Sequence, residues 1–503
     1  MTFELQSHML RRLSPTSALN LAAYVVVLGI IYIAYKAIYA VYFHPLSSFP
    51  GPTSWAVSQI QYVRHSVAGN IIRTQLELHR RYGKVVRIGP NELSYCEAAV
   101  WRDVWAYRKG HEEFSKTSLQ IVVPPNGTYG ILGASRMDHR RVRKLLSHSF
   151  SEKAMREQHP TIKKHVDLLV DRLRERAGKE PQNIVEWFNW TTFDVIGALA
   201  FDQSFNCLEH GQTHPWIKAI FGSVKAGVFF SAMKRLGLDW LAHHLVSKEA
   251  VQLRNDNFAY SQDKIKERLE RADRCGDFWD NVLQHSHEEG GMTMREMTST
   301  AANIVLGGSE TTATLLSGCV YLLLTHPKVM SKVVAEIREA FPTSDDIDLF
   351  TVTDLKYTLA VLDETMRIYP PVPEHALRVV PPGGDTVHGQ YLPEGTMIHF
   401  PQLAANRLES NFTRPEEFIP ERFLGDEAFA DDNYDVLQPF SVGPRNCIGK
   451  NLAYAEMRLI LAKMLWNFDF ALVKGQDDWM DQKTFTLWEK PPLMVNVKKR
   501  GGT

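Results

Sequence analysis

Cysteine is scarce in this chain. Among 503 residues there are five, Cys96, Cys207, Cys275, Cys319 and Cys447, widely spaced and with no C-x-x-C among them. A disulfide framework and a cysteine-rich zinc site are thereby excluded, which points to a reducing compartment and leaves a cysteine free for chemistry. Net charge is lacking as well: 57 Lys and Arg offset 57 Asp and Glu, so no overall basic field exists to hold nucleic acid. Internal repeats, low-complexity tracts and flexible linkers are absent from residues 53 to 500. The composition, 44% apolar and 23% charged with 31 Gly and 25 Pro, rules out disorder, collagen and an all-membrane transporter. Length alone would allow roughly two to four domains, but nothing in the sequence cuts them apart.

What is present begins with an apolar run. From Leu13 to Tyr35, between Arg12 and Lys36, 23 consecutive residues carry no charge, and about 20 such residues span a bilayer core. The run has no small-residue cleavage site and stays apolar past Lys36 to Phe43, which favours an uncleaved anchor over residues 1–43 rather than a signal peptide. Arg11, Arg12 and Lys36 flank it so evenly that charge leaves its orientation open. In His44-Pro-Leu-Ser-Ser-Phe-Pro-Gly-Pro52 three prolines and a glycine forbid helix, predicting a stiff, extended hinge over 44–52 before a domain over 53–503.

Lys84 to Ile88 and Glu92 to Tyr95 read as strands around a Gly-Pro-Asn turn. From about residue 101 to 340 the pattern is mostly helical. Short strands and turns follow near His375 to Pro401. Residues 406 to 446 are polar, proline-rich and aperiodic, yet carry Phe412, Phe418, Phe423 and Phe440. A loop that long inside a compact domain is usually functional. A helix resumes after Cys447, and Phe485 to Trp488 and Leu493 to Val497 read as closing strands.

Chemistry concentrates in Phe440-Ser-Val-Gly-Pro-Arg-Asn-Cys-Ile-Gly449. A lone cysteine between glycines, in a loop that opens a helix, is a candidate thiolate ligand, because a helix N-terminus stabilises negative sulfur through its dipole and free N–H groups. Gly443 and Gly449 would let backbone lie close against a flat cofactor, and Arg445 could meet a carboxylate. The pattern resembles F-x-x-G-x-R-x-C-x-G, the signature of the cytochrome P-450 haem-thiolate monooxygenases, and further motifs in the same order extend the resemblance over essentially the whole chain. It implies a mainly α fold with small β-sheets (α+β), one large haem domain behind a single transmembrane helix, and haem b (iron protoporphyrin IX) bound through axial Cys447.

Met297 to His326 is a long helical pattern whose only charge is Glu310, beside Gly307, Gly308, Thr311 and Thr312. Two mid-helix glycines cost roughly 2 kcal/mol relative to alanine, and a buried unpaired carboxylate is disfavoured further; something must compensate. Tight helix packing is one reading. The resemblance implies another, a local distortion that makes room for dioxygen, with Glu310 and Thr311 relaying protons. It also implies that Glu364 and Arg367 of E-x-x-R join Arg422 of Pro420-Glu-Arg-Phe423 in a buried structural triad under the haem. In the basic stretch Arg136 to Lys144, Arg143 matches the family's W-x-x-x-R, while His139 stands where tryptophan is expected; both are assigned to haem propionates, as is Arg378. The remaining basic residues there would receive an acidic redox partner.

No G-x-G-x-x-G follows a strand, so by the resemblance electrons come from NADPH through a separate membrane-bound NADPH–cytochrome P-450 reductase, with cytochrome b5 as a further donor. The expected reaction inserts one oxygen atom into a lipophilic small molecule by hydroxylation or epoxidation. His139 to His148, Phe193 to Gly197 and the Pro-rich opening look most like fungal microsomal enzymes of secondary metabolism, acting on terpenoid, polyketide or alkaloid precursors. The pocket would draw on Pro124 to Asn126, Phe229, Phe230, Asn303, Pro371 to Leu377 and Phe485 to Leu487. A haem-thiolate isomerase or dehydratase, and a non-enzymatic haem protein, are the competing readings; the intact Glu310 and Thr311 speak against both. The resemblance places the protein in the endoplasmic reticulum membrane with its catalytic part in the cytosol. Asn126-Gly-Thr128, Asn189-Trp-Thr191 and Asn411-Phe-Thr413 are glycosylation sequons. Endoglycosidase treatment of the protein from a eukaryotic host should leave its mobility unchanged, and a shift would put the catalytic part in the lumen.

Overall fold

The computed structural model describes residues 15–121, 123–241, 248–271, 276–285 and 288–501. The N-terminal apolar run forms helix α1 (Pro15–Ile38), prolonged by a π-helical turn, Tyr39–Phe43. Within it Leu19–Phe43 spans 25 residues at mean hydropathy 2.1 and is unburied, long and apolar enough to cross a bilayer. Arg11, Arg12, Leu13 and Ser14 lie outside the described residues, as does Cys275.

The Pro-rich connector avoids helix, as expected, but it is not extended. Ser47 N–H bonds to His44 O at 2.8 Å and Phe49 N–H to Leu46 O at 3.2 Å, folding it into turns that bury Leu46 completely. Arg87 pins it. The Arg87 guanidinium donates to Ala40 O at 2.7 Å, at the end of the anchor, and its N–H donates to Pro50 O at 2.7 Å. The apolar Leu46 and the unpaired proline-flanked carbonyls favour docking over extension, because both find partners on the sheet.

That sheet has five strands: β1 (Val85–Gly89), β2 (Glu92–Tyr95), β3 (Ser115–Lys116), β4 (Arg378–Val379) and β5 (Met397–His399), ordered β1-β2-β5-β4-β3. Only β2 and β5 run parallel. Helices supply most of the remainder. Helix α2 (Arg136–Ser147) is capped by the Ser135 side chain; α3 (Ile184–Phe201) is buried on nearly all sides, as its apolar sequence requires; α4 is Pro215–Arg235. The long central helix α5 (Met294–Thr325) starts at a capping box between Thr293 and Glu296. Helix α6 (Lys356–Ile368) and α7 (Lys450–Asn467) complete the frame. A strand that sequence pattern missed, Phe468–Leu472, pairs with Met494–Lys499. The strand expected over Phe485 to Trp488 is instead a tight hairpin, Thr484–Phe485 against Leu487–Trp488, turned at Thr486 with φ 67°.

The segment 406–446 has only short 3-10 turns; a buried charge cluster holds it. Arg367 clasps Glu364 through Nε and Nη2, both at 2.7 Å, and Arg422 Nε reaches Glu364 Oε1 at 3.2 Å. All three side chains are fully buried, as the resemblance implied. Asp432, unforeseen, pairs with the far side of Arg422. The guanidinium of Arg367 also donates to the carbonyls of Asn406, Pro415 and Glu417 at 3.0, 2.7 and 2.9 Å. Of the three sequons, Asn411 is buried and donates to Cys96 O and Ala405 O, Asn189 lies within α3, and Asn126 is half-buried in a loop with its Nδ2 on Arg295 O at 3.0 Å. Replacing Glu364 by Ala leaves the buried Arg367 without a carboxylate and Arg422 with Asp432 alone; a loss of about 3 to 5 kcal/mol is expected, read as a lowered denaturant midpoint of the full-length protein.

Candidate active site

Four free cysteines are described; Cys96, Cys207 and Cys319 are buried and Cys447 alone is accessible. The Cys447 N–H donates to Phe440 O at 2.8 Å, closing the loop just before α7. Surrounding protein raises the Cys447 thiol pKa, while the Gly449 N–H, Arg143 and Lys450 pull it back down. The Phe440 ring packs on Tyr454 of α7, 5.2 Å between centroids. Gly443 has φ +74° and a Cβ there would lie 2.1 Å from Trp105 O, so only glycine fits. The crowding that demands it comes from Trp105. At Gly449 a Cβ would meet only Phe150, at 3.8 Å.

Beside this loop lies a cavity of about 580 Å³ lined by Trp105, His139, Arg143, Arg378 and Arg445, among others. Arg378 is buried, and its Nη1 has no partner. Burial, then Arg445, lowers its pKa to about 10. Arg445 is paired with Glu113 and donates to Ala134 O at 3.0 Å. Burial and then the cations Arg445, Lys116, Arg143 and Arg378 bring His139 down to about 3, so its imidazole is neutral near pH 7 and keeps an N–H to donate. Arg143 is already engaged: Nη1 and Nη2 hold Asn446 O and Oδ1, each at 2.6 Å. The propionate role assigned to it is thus joined by another, clamping the residue before Cys447. A positive cavity with an orphaned guanidinium beside an accessible thiol fits haem, whose two propionates would satisfy Arg378 and whose iron takes one protein sulfur. Among the described residues no His, Cys, Asp and Glu cluster is arranged to hold a metal ion.

Helix α5 runs unbroken through Gly307 and Gly308, so the implied distortion is not a break. The two glycines divide the work. A Cβ at Gly308 would strike Ile196 of α3 at 2.5 Å, which is the tight-packing reading, whereas Gly307 faces open space. Thr311 Oγ1 donates to Gly307 O at 2.7 Å. Glu310 points elsewhere: it is buried, pairs with Lys490, and accepts from Thr314 Oγ1 at 3.1 Å. The partner that the sequence demanded for this carboxylate is therefore Lys490, for which Glu489-Lys490-Pro491-Pro492 holds no spacing signal. Phe485 lines a second, smaller cavity with Glu310 and Lys490, and Phe229 is 37% exposed. Asn303 Oδ1 accepts from Leu132 N at 3.3 Å, tying α5 to the preceding loop.

Gly443→Ala should shift the loop that carries Cys447 away from Trp105. The expected outcome is purified protein that has lost most of its haem absorbance per chain, with far-ultraviolet circular dichroism largely kept.

Comparison with known proteins agrees with this geometry. The cytochrome P-450 family model matches residues 49–497. Averantin hydroxylase of Dothistroma septosporum is 46% identical over 466 residues, 92% of this chain and 88% of that protein. Averantin hydroxylase of Aspergillus parasiticus is 44% identical, covering 92% and 94%. Versicolorin B desaturase of Aspergillus parasiticus is 42% identical, covering 96% and 98%. The accessible Cys447 in its glycine-bounded loop and the match over most of the chain lead to one conclusion: this chain belongs to the cytochrome P-450 family, as a haem monooxygenase of secondary metabolism.

Proposed function

We propose that the protein hydroxylates a lipophilic secondary metabolite of the kind its relatives are named for, averantin or versicolorin B. The observation that carries the site assignment is the pairing of one accessible thiol, Cys447, with a cationic cavity in which Arg378 Nη1 lacks a partner.

When bound, haem b ligated through Cys447 supplies dioxygen reduction, and thiolate ligation favours O–O cleavage. The balance is RH + O2 + 2 electrons + 2 protons giving ROH and water. The chain does the remaining work. Arg143 clamps Asn446, and the Cys447 N–H bond to Phe440 holds the sulfur in place. Arg143, Arg378, Arg445 and neutral His139 would hold the propionates by charge and N–H donation. Thr311, whose hydroxyl proton is donated to Gly307 O at rest, would turn to offer it, and Glu310 would replenish it from solvent. Glu364, Arg367 and Arg422 take no part in the chemistry.

Residues 1–43 form the anchor, 44–52 the docked connector and 53–503 the catalytic domain, on the cytosolic side of the endoplasmic reticulum membrane. Electrons come from NADPH–cytochrome P-450 reductase or cytochrome b5, approaching the exposed Arg136, Arg140 and Lys144 of α2. Arg141 does not contribute, because it pairs with Glu296 of α5. An isomerase of the same fold would need neither NADPH nor dioxygen.

The test is the carbon monoxide difference spectrum of the reduced full-length protein. A red-shifted Soret band that disappears in Cys447→Ala, with turnover strictly dependent on NADPH and dioxygen, is the expected result. A folded wild-type sample without the band, or a band that survives the substitution, overturns the assignment.

A further inference from the structure

Helix geometry separates two groups that the proton relay needs together. Residues one apart on a helix point about 100° apart, whereas residues four apart share a face. Glu310 accordingly faces with Thr314, and Thr311 with Gly307. The Lys490 ammonium closes on Glu310 Oε1 and also donates to Thr314 Oγ1 at 2.7 Å, so that three side chains lock one another. Glu310 Oε2 is buried without a partner. This lock forms the wall of a cavity of about 220 Å³, lined also by Asn189 of α3, Lys225 of α4, Phe485 and Trp488. Its wall is mostly apolar, but the volume admits water and Glu310, Asn189 and Lys490 offer it polar partners. The other charges near it are already engaged: Lys225 pairs with Glu489 at 2.6 Å, and the Tyr369 hydroxyl donates to Gln482 at 2.7 Å. Lys490 itself is on a stiff tether, between Trp488, whose Nε1 holds Pro370 O at 2.8 Å, and Pro491.

We propose that Lys490 is a positioning residue for proton delivery: it holds the Glu310 carboxylate turned to the outer cavity, where water loads it, and off the Thr311 face until it swings. This rests on the relay reading of Glu310 and Thr311 given above. Without the hold, the carboxylate populates the inner orientation throughout the cycle, and protons arrive before oxygen transfer is committed. The reaction then diverts to O2 + 2 electrons + 2 protons giving hydrogen peroxide, at the expense of ROH.

Lys490→Met and Lys490→Arg in the full-length holoprotein, reconstituted with its reductase, separate the possibilities. The Met variant should raise the peroxide-to-product ratio roughly tenfold, the population change commanded by one hydrogen bond to a charged group, with KM for substrate unchanged. Arg should restore the ratio. Independently of turnover, the infrared carboxylate stretch assigned by subtracting Glu310→Gln should shift in the Met variant and return in the Arg variant. Thr314→Val, which removes only the bridging hydroxyl, should move both readouts in the same direction and serves if the Met variant does not fold. If Glu310→Gln uncouples the enzyme while Lys490→Met and Thr314→Val behave as wild type, the positioning role is wrong and the relay stands. If Glu310→Gln itself leaves coupling unchanged, the relay reading falls and this proposal with it.

Discussion

The buried cluster of Glu364, Arg367, Arg422 and Asp432 is the interaction on which the rest of the site depends. Residues 406–446 lack the regular ladders that normally satisfy backbone carbonyls, and unsatisfied carbonyls buried there would be costly. Two guanidiniums take them instead. Arg367 collects Asn406, Pro415 and Glu417, and Arg422 collects Thr413 and Arg414. From Asn406 the contacts continue through Gln402 to Val436 and Gln438, then through Ser441 N–H to Gln438 O, and end at Cys447 N–H on Phe440 O. The position of the thiol is inherited from charges buried far along the chain.

Electrostatics follows a second rule, that cations gather where an anion must be held. A chain with no net charge places Arg445, Lys116, Arg143 and Arg378 around His139, where burial first and these cations second keep the imidazole neutral. Opposing charge there is thin, and Arg445 already takes Glu113. Helix α5 shows the converse. Its single mid-helix acid, Glu310, is buried only because Lys490 arrives from the C-terminal region to meet it.

Much of this was readable in advance. The membrane-length run, the Cys447 loop, the E-x-x-R pair with Arg422 and the long helix around Glu310 each rest on local spacing, which survives folding unchanged. The errors were of another kind. The connector 44–52 looked extended because proline forbids helix, but Leu46 and the Pro50 carbonyl found partners on Arg87 and the sheet. At Gly443 the pattern gave no sign of the close approach of Trp105 O, which by itself demands glycine. Arg143 carries a further contact that its spacing did not signal, the clamp on Asn446. The strand Phe468–Leu472 passed unnoticed because it is a strand only through its pairing with Met494–Lys499.

The sequence by itself determined the family, the candidate thiolate and the need for a partner to a buried acid, because motifs encode chemistry at fixed offsets along the chain. Tertiary structure alone decided that the partner is Lys490, that Asp432 joins the triad as a fourth member, and that Gly308 packs while Gly307 opens. Such choices depend on which surfaces meet after folding, across separations in sequence that no local pattern records.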